Sequence, residues 1–225
     1  MSKALDPTIA EKRRLEMVDR QIASRQIHDV KILEAMRSVP RHLFVSEDLQ
    51  DMAYSDRALG IDEGQTISQP FIVALMLAMA DLKSHHRVLE IGTGSGYSAA
   101  VLSRIVERVY SVERHEALAR EAVSRFRDLH YTNINVKMGD GSIGWVEHAP
   151  YDAILVTASG PKIPAELKNQ LAVKARLVMP VGAIGREQKL IMVTRVSEDG
   201  FESQVGDGVT FVPLIGKSGW TAEQS

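Results

Sequence analysis

The sequence contains no cysteine. This absence excludes disulfide bonds, thiolate metal sites, a cysteine nucleophile and the cysteine-dependent route to methylation of pyrimidine C5. An excess of charge of one sign is also missing, because 27 basic and 29 acidic side chains leave a formal net charge of -2. Whole-molecule electrostatics therefore cannot carry binding to phosphate backbones or anionic membranes. We expect neither nucleic acid nor membrane as a partner.

Long hydrophobic runs are missing as well. The longest run, residues 71–80, is about half of the roughly 20 residues that span a bilayer, and the first 17 residues are polar and charged without the apolar stretch of a signal peptide. The expected compartment is the cytoplasm. At 225 residues, with 44% hydrophobic and 25% charged side chains, the chain has the composition of an ordinary globular protein.

The first 65 residues read as a helical segment. Thr8 and Glu11 fit a capping box, and apolar residues then recur at helical spacing in two stretches, the second of which ends at Pro40. Residues 53–65 are rich in turn formers. We predict a single domain over 1–225, with a helical segment and substrate-covering loop at 1–65, a cofactor-binding core at 66–216 and a polar tail at 217–225.

Strands and helices alternate after residue 70. Strands are predicted at 87–91, 109–112, 135–138 and 151–157, and helices at 70–82, 95–106, 116–129 and 163–171. Later strands are expected at 176–179 and 189–194, with 211–214 as the last apolar element. The pattern indicates an α/β fold: a doubly wound, mostly parallel Rossmann-like sheet, with an N-terminal helical segment and antiparallel C-terminal strands.

A glycine-rich turn follows the first predicted parallel strand. Gly92, Gly94 and Gly96 lie where that strand passes into its helix, and residues without a side chain let a ligand approach the backbone closely. The dinucleotide fingerprint requires glycine one position later, where this chain has Tyr97. The turn is therefore predicted to be a cofactor loop without a pyrophosphate site.

Carboxylates at two further strand ends suggest which cofactor this is. Glu113 lies about 20 positions beyond the first glycine, where a carboxylate accepts hydrogen bonds from ribose hydroxyls. Asp140 and Gly141 follow the next strand, in reach of an exocyclic amine such as that of adenine. With Glu90, this gives three acidic sites and no compensating cation, which favours S-adenosyl-L-methionine over NAD or ATP. Taken singly, each feature also fits an ordinary turn or a solvated strand end.

The stretch from Thr66 to Pro70 precedes the cofactor loop and belongs to the part of the chain that could cover the cofactor. Ser68 or Gln69 could serve as the N-cap of the helix that opens at Pro70, with serine the better cap. The same geometry allows a different role, because a hydroxyl donor at an open helix N-terminus holds a carboxylate.

The chain closely resembles protein-L-isoaspartate O-methyltransferases from about residue 17 to residue 216. The matching stretches include 39–45, 54–56, 66–70, 88–97, 139–141, 149–152 and 180–182, of which Thr-Ile-Ser-Gln-Pro at 66–70 is the most specific. The resemblance implies Ser68 as the active-site residue. It implies cofactor contacts from Glu90, Gly92, Thr93, Gly94, Gly96, Glu113, Arg114, Asp140 and Gly141, and substrate contacts from Thr66, Ile67, Ser68, Gln69 and Val212.

The activity implied by the resemblance is methyl transfer from S-adenosyl-L-methionine to the α-carboxylate of L-isoaspartyl residues in damaged proteins and peptides. The ester then closes to a succinimide and so initiates repair. Such a carboxylate has a pKa of about 4, so no general base is needed at neutral pH. The substrate chain is expected to lie extended beside residues 66–69 and the 211–214 strand, and capping by Ser68 becomes an additional role.

Two stretches depart from the family pattern. Residues 174–176 read Lys-Ala-Arg where relatives commonly carry a glycine pair, and residues 158–161 read Ala-Ser-Gly-Pro instead of an alanine-proline run. The first departure makes the turn before the following strand uncertain. The second lies near the mouth of the sheet, where it could alter substrate preference.

Several alternatives stay open or are set aside. His85 and His86 are adjacent and point to different sides, so no metal site is predicted. Nucleic-acid amine methylation is disfavoured, because residues 157–160 lack the Asn or Asp-Pro-Pro-aromatic loop. Methylation of an ordinary aspartate in one dedicated peptide, and a non-catalytic module that binds the cofactor or damaged proteins, remain as the other hypotheses.

Overall fold

A computed structural model describes residues 5–224 of the chain. The described residues contain a seven-stranded sheet of order β5-β4-β3-β6-β7-β8-β9, and a separate two-stranded hairpin, β1-β2. The strands are Leu59–Gly60 (β1), Thr66–Ile67 (β2), Arg87–Ile91 (β3), Arg108–Glu113 (β4), Ile134–Met138 (β5), Tyr151–Val156 (β6), Leu171–Val181 (β7), Gln188–Arg195 (β8) and Phe201–Val209 (β9). The α-helices are Pro7–Met17 (α1), Val30–Ser38 (α2), Pro70–Met79 (α3), Tyr97–Leu102 (α4), Glu116–Asp128 (α5) and Ala165–Asn169 (α6).

The predicted fold class is confirmed. Strands β3 to β7 pair in parallel, whereas β7, β8 and β9 pair antiparallel. The chain runs outward from β3 through β4 to β5 and then returns to the other side of β3 with β6, so the sheet reverses direction at β3. In open α/β sheets, ligands bind at such a reversal, outside the carboxyl ends of the strands.

Two apolar clusters cover the two faces of the sheet. The larger one joins the N-terminal helices and α3, α4 and α5 to one face, and the smaller one joins α6 and the aromatic residues before β6 to the other. Between α1 and α2, the chain continues as a π-helical turn at Val18–Ile22 and a 3₁₀ turn at Ala23–Arg25. The N-terminal segment is therefore packed onto the core rather than separate from it.

The predicted start of the first helix is wrong in detail. The N-cap is Asp6, whose Oδ1 accepts hydrogen bonds from the backbone N–H groups of Thr8 and Ile9 at 2.9 and 3.2 Å. Pro7 then occupies the first helical position, where its missing N–H costs nothing. Thr8 thus lies inside the helix, and the capping-box interpretation of Thr8 and Glu11 does not hold.

The end of the sheet differs most from the prediction. Strand β9 was not predicted, because Phe201–Val209 is an exposed edge strand with little apolar character and two glycines. Its pairing with β8 shifts register between Lys189 and Ile191, next to Gly206. Residues 211–214 are not a strand of the sheet. They form one isolated parallel bridge, between Pro213 and Ser159.

Helices α4 and α6 are shorter than predicted, at Tyr97–Leu102 and Ala165–Asn169. Lys174, at the first departure from the family pattern, has a φ of 70°, which is the left-handed conformation that glycine favours. Strand β7 continues through this position with a register shift against β6. Lysine therefore takes a glycine-like conformation there without ending the strand.

Within residues 5–224, no helix is long and apolar enough to cross a membrane. The same part of the chain contains no group of three or more His, Asp or Glu side chains placed to hold a metal ion. Of the predicted domain boundaries, residues 1–4 and 225 lie outside the described residues.

Candidate active site

The cofactor loop connects β3 to α4. Gly92, Gly94 and Gly96 all have positive φ, at 96°, 52° and 90°. A Cβ on Gly96 would lie 2.7 Å from Cζ of Phe126, which is buried in α5. On Gly92, a Cβ would collide with Oγ1 of Thr157, at the end of β6. The loop therefore needs glycine both for its backbone conformation and for its packing.

A cavity opens beside this loop, at the carboxyl ends of β3, β4 and β6. Seven of the predicted site residues line it: Thr66, Gly92, Gly94, Glu113, Arg114, Gly141 and Val212. Pro213 and Leu214, from the element expected beside the substrate, and Ala158, from the second departure, line it too, whereas sequence reasoning missed Gln65, Ile91, Val112, His115, Thr157 and Ile215. His115 and Thr157 could have been found, since they follow strand ends at the same edge. Ile215 carries no comparable signal.

Glu113 faces this cavity while its carboxylate already holds the loop around it. Oε2 accepts a hydrogen bond from the N–H of Gly94 at 2.8 Å, and Oε1 accepts one from the N–H of His115 at 2.9 Å. Each carboxylate oxygen has two acceptor sites, so both oxygens can still accept a bond from a ligand hydroxyl. Glu113 is thus suited both to shape the loop and to bind ribose.

Glu90 and Thr93, predicted to contact the cofactor, lie among the buried residues beneath the loop and not in the cavity lining. Ser111 donates a hydrogen bond to Oε2 of Glu90 at 2.6 Å, and its hydroxyl is also 2.6 Å from Oγ1 of Thr93. Burial raises the pKa of the Glu90 carboxyl to about 7. The three side chains form a network that supports the loop from below.

We expect the Glu90 carboxyl to make the protein less stable as the pH rises from about 4.5 to about 7. Its pKa is raised in the folded state relative to the usual 4.5, so the folded protein binds more protons in this window, and the stability associated with the protonated form is lost as pH rises. The effect is at most about 3 kcal/mol. Denaturant unfolding of wild-type protein and Glu90→Gln across this range should give diverging free energies of unfolding. Parallel profiles would contradict the prediction.

Asp140 already accepts three hydrogen bonds from protein groups. Its Oδ1 accepts bonds from the N–H and the hydroxyl of Ser142 at 2.8 and 2.6 Å, and its Oδ2 accepts one from the N–H of Lys217 at 2.8 Å. The neighbouring Gly141 lines the cavity, whereas Asp140 is not among the lining residues. The carboxylate therefore ties the C-terminal segment to the end of β5.

A second cleft is lined by Ser68 and Gln69. Helix α3 begins at Pro70 with Gln69 as its N-cap, and no side chain of the cap residue accepts a bond from the helix. The predicted capping role of Ser68 is therefore wrong. The first turn is bonded instead by Asp56, whose Oδ1 accepts from the N–H of Phe71 at 3.3 Å.

The two cavities adjoin. Thr66 lines both, and the segment after β9 runs along both, with Phe211 on the Ser68 cleft and Val212 on the cofactor cavity. Ile67 is buried in the core beside them. The carbonyl oxygen of Val212 accepts a hydrogen bond from the N–H of Ser159 at 2.8 Å, so this part of its backbone is already paired.

Three comparisons place this arrangement among known proteins. A family model described as protein-L-isoaspartate(D-aspartate) O-methyltransferase matches residues 12–219. Protein-L-isoaspartate O-methyltransferase of Protochlamydia amoebophila is 53% identical over 209 residues, covering 93% of this chain and 100% of that protein. Protein-L-isoaspartate O-methyltransferase 2 of Pelobacter propionicus is 56% identical over 210 residues, covering 93% of each chain. A solved structure of a protein-L-isoaspartate O-methyltransferase superposes with a TM-score of 0.83 at 27% identity, covering 93% of this chain and 67% of the other.

Proposed function

The chain belongs to the protein-L-isoaspartate(D-aspartate) O-methyltransferase family, and from this we propose that it methylates the α-carboxylate of L-isoaspartyl residues in damaged proteins and peptides. It is an S-adenosyl-L-methionine-dependent methyltransferase. The observation that best supports the proposed site is the contact between the two cavities at Thr66, because a methyl donor and a peptide carboxylate must meet there.

The cavity beside the glycine loop fits the cofactor. Gly92 has no room for a side chain, so its backbone stays open to a ligand. The carboxylate of Glu113 has spare acceptor sites on both oxygens. When bound, the cofactor supplies an electrophilic methyl group. We propose that Glu113 holds the ribose, that Gly92, Gly94 and Gly141 admit the ligand to the backbone, and that Arg114 borders the site. Glu90, Thr93, Gly96 and Asp140 then act by shaping the surroundings.

Ser68 is proposed to orient the substrate carboxylate. The carboxylate is ionised at neutral pH, so Ser68 has only to donate a hydrogen bond and leave the attacking oxygen free. Holding the two reacting groups in line can supply roughly 7 to 11 kcal/mol of a barrier. Ser68 is partly buried in its cleft, which supports this role.

The substrate contacts proposed for the neighbours of Ser68 follow from their positions. Thr66 borders both cavities and is exposed, so it can touch the peptide and the methyl donor at once. Ile67 and Gln69 offer their backbone, since one side chain is buried and the other donates to Asp56. Val212 lines the cofactor cavity, where its side chain would limit how far the substrate peptide enters that cavity.

The product ester initiates repair. The backbone nitrogen of the following residue attacks the ester carbonyl, a C–N bond forms, and methanol leaves with the amide proton. Water then cleaves one C–N bond of the resulting succinimide, which gives normal aspartate in part. This second phase requires no further group from the protein.

Because the described strands belong to one continuous core with the N-terminal helices, we also propose one domain over the whole chain. A cytoplasmic location, and the absence of nucleic acid and membrane partners, stay predictions.

The direct test is methyl transfer from labelled S-adenosyl-L-methionine to two short peptides that differ only in isoaspartate or aspartate at one position. We expect base-labile labelling of the isoaspartyl peptide alone. Labelling of the aspartyl peptide instead would favour a dedicated aspartate substrate. Cofactor binding in a titration without labelling of either peptide would contradict the proposed substrate, and would favour a dedicated peptide or a binding module.

A further inference from the structure

Residues 39–45 and residues 54–56 are among the stretches that match the family, but they have no part in the function described so far. Each contributes one charged side chain that reaches the Ser68–Gln69 segment. Arg41 comes from the first stretch and Asp56 from the second, and neither lines the cofactor cavity or the Ser68 cleft.

Arg41 holds the backbone of Ser68. Its side chain is fully buried, with Nη2 donating to the carbonyl oxygen of Ser68 and Nε to that of Ala53, both at 2.8 Å. Burial lowers the pKa of Arg41 to about 10, so the guanidinium remains charged at neutral pH. A buried charge is costly unless its hydrogen bonds are well placed, and here two divergent donors of one rigid group join two chain segments.

The same guanidinium also contacts the helix that follows the cofactor loop. Its central carbon lies 4.7 Å from the ring centroid of Tyr97, the first residue of α4, directly after Gly96. Arg41 therefore touches the Ser68 segment on one side and the end of the cofactor loop on the other. A shift of Arg41 would change the distance between them.

Asp56 holds the other half of the segment. Its Oδ2 accepts from Nε2 of Gln69 at 2.8 Å, and its Oδ1 accepts from the N–H of Phe71 at 3.3 Å. Arg25 pairs with the same carboxylate at 2.8 Å and lies over the ring of Phe71. Gln69 and the first turn of α3 are thus fixed from a different part of the chain.

We propose that Arg41 and Asp56 are positioning residues that fix the Ser68–Gln69 segment relative to the cofactor loop. This inference rests on the proposed role of Ser68. Neither residue contacts the reacting groups. Each acts by limiting where the Ser68 hydroxyl can lie, and a misplacement of about 1 Å can reduce a rate by a factor on the order of 100.

The test is a double-mutant cycle with the isoaspartyl peptide. Arg41→Lys keeps the charge but cannot make both bonds with a single ammonium, and Asp56→Asn keeps the size but places a donor near Gln69 or Phe71. Each variant is made in the wild-type and in the Ser68→Ala background. The measurements are kcat and KM, cofactor affinity by calorimetry, and thermal unfolding.

We expect each variant to lower kcat/KM about tenfold in the wild-type background, with cofactor affinity within about twofold of wild type. In the Ser68→Ala background, the further loss should shrink to less than about twofold, because there is no hydroxyl left to position. The control is the exposed pair of Arg37 and Asp19, 2.7 Å apart on the N-terminal helices. Arg37→Lys and Asp19→Asn should leave kcat/KM unchanged.

Equal losses in both backgrounds would show that Arg41 and Asp56 stabilise the fold without positioning Ser68, and would overturn the inference. So would full activity of both variants in the wild-type background. If Ser68→Ala itself is fully active, the proposed role of Ser68 fails and the inference fails with it, a pattern distinct from the other two. If Arg41→Lys does not fold, the kinetic result for Asp56→Asn tests the inference alone, since Asp56 is partly exposed. If neither variant unfolds cooperatively, both residues are structural and the inference is overturned.

Discussion

Gly92→Ala is expected to weaken cofactor binding by more than about 100-fold and to lower the free energy of unfolding by about 2 to 4 kcal/mol. At a φ of 96°, alanine is strained, and its Cβ would collide with Oγ1 of Thr157. The single hydroxyl proton of Thr157 is shared between the carbonyl oxygens of Ile91 and Gly92, 3.0 and 2.8 Å from Oγ1, so moving Thr157 breaks the contact between β3 and β6 at the loop. Because Thr157 also lines the cofactor cavity, the displaced loop no longer matches its ligand.

The matched control for this variant is Gly185→Ala. Gly185 also has positive φ, at 70°, but a Cβ there has no atom within 4 Å. Gly185→Ala should lower the free energy of unfolding by about 1 kcal/mol, which is the cost of the left-handed backbone conformation without a collision. The cofactor affinity of this variant should equal that of wild type. Isothermal titration and denaturant unfolding supply both quantities. Cofactor affinity of Gly92→Ala within threefold of wild type would contradict the tight approach of β6 to the loop.

The sequence was sufficient to predict the parallel part of the sheet and the cofactor loop. Strands β3, β4 and β6 are mostly buried on both faces, so they read as short, largely apolar runs, and the glycines mark the turn that follows the first of them. The ligand edge follows from this order, because the chain reverses at β3. Strand β9 escaped detection because an edge strand is not required to be apolar on either face.

The roles of individual side chains at the site were less predictable. Sequence position places Glu90 and Asp140 at the ligand edge of the sheet, but it does not show whether a carboxylate is free to meet a ligand. In the fold, Ser111 donates a hydrogen bond to one oxygen of Glu90, and Ser142 and Lys217 donate to the carboxylate of Asp140. Ser142 is a local partner, but Ser111 lies in another strand and Lys217 near the far end of the chain, where local patterns carry no information.

The same limit explains the error at helix α3. Ser68 precedes Pro70 at the spacing of a capping residue, so local reasoning favoured a cap. The first turn of the helix instead receives its bond from Asp56, 15 positions before Phe71. A distant carboxylate can replace a local cap, and this leaves the Ser68 hydroxyl uncommitted at the edge of its cleft.

Glu113→Ala is expected to weaken cofactor binding by about 10- to 150-fold, which corresponds to about 1.5 to 3 kcal/mol for hydrogen bonds to a charged group. The carboxylate holds the N–H groups of Gly94 and His115, so part of the loss comes from the loop and part from the ribose. The control is Glu116→Ala at the exposed start of α5, where the side chain pairs only with the neighbouring Arg120 among the described ion pairs. Its cofactor affinity should stay at the wild-type value.

A second ligand separates the two contributions of Glu113. Wild-type protein and Glu113→Ala are titrated with S-adenosylhomocysteine and with its analogue that lacks the 2′-hydroxyl and 3′-hydroxyl groups of the ribose. If Glu113 bonds the ribose, removing the hydroxyls costs affinity in the wild type but little in the variant, because the two changes remove the same interaction. Equal losses in both proteins would assign the ribose to another residue and leave Glu113 with the loop alone. The spare acceptor sites on both of its oxygens are the reason to expect the first result.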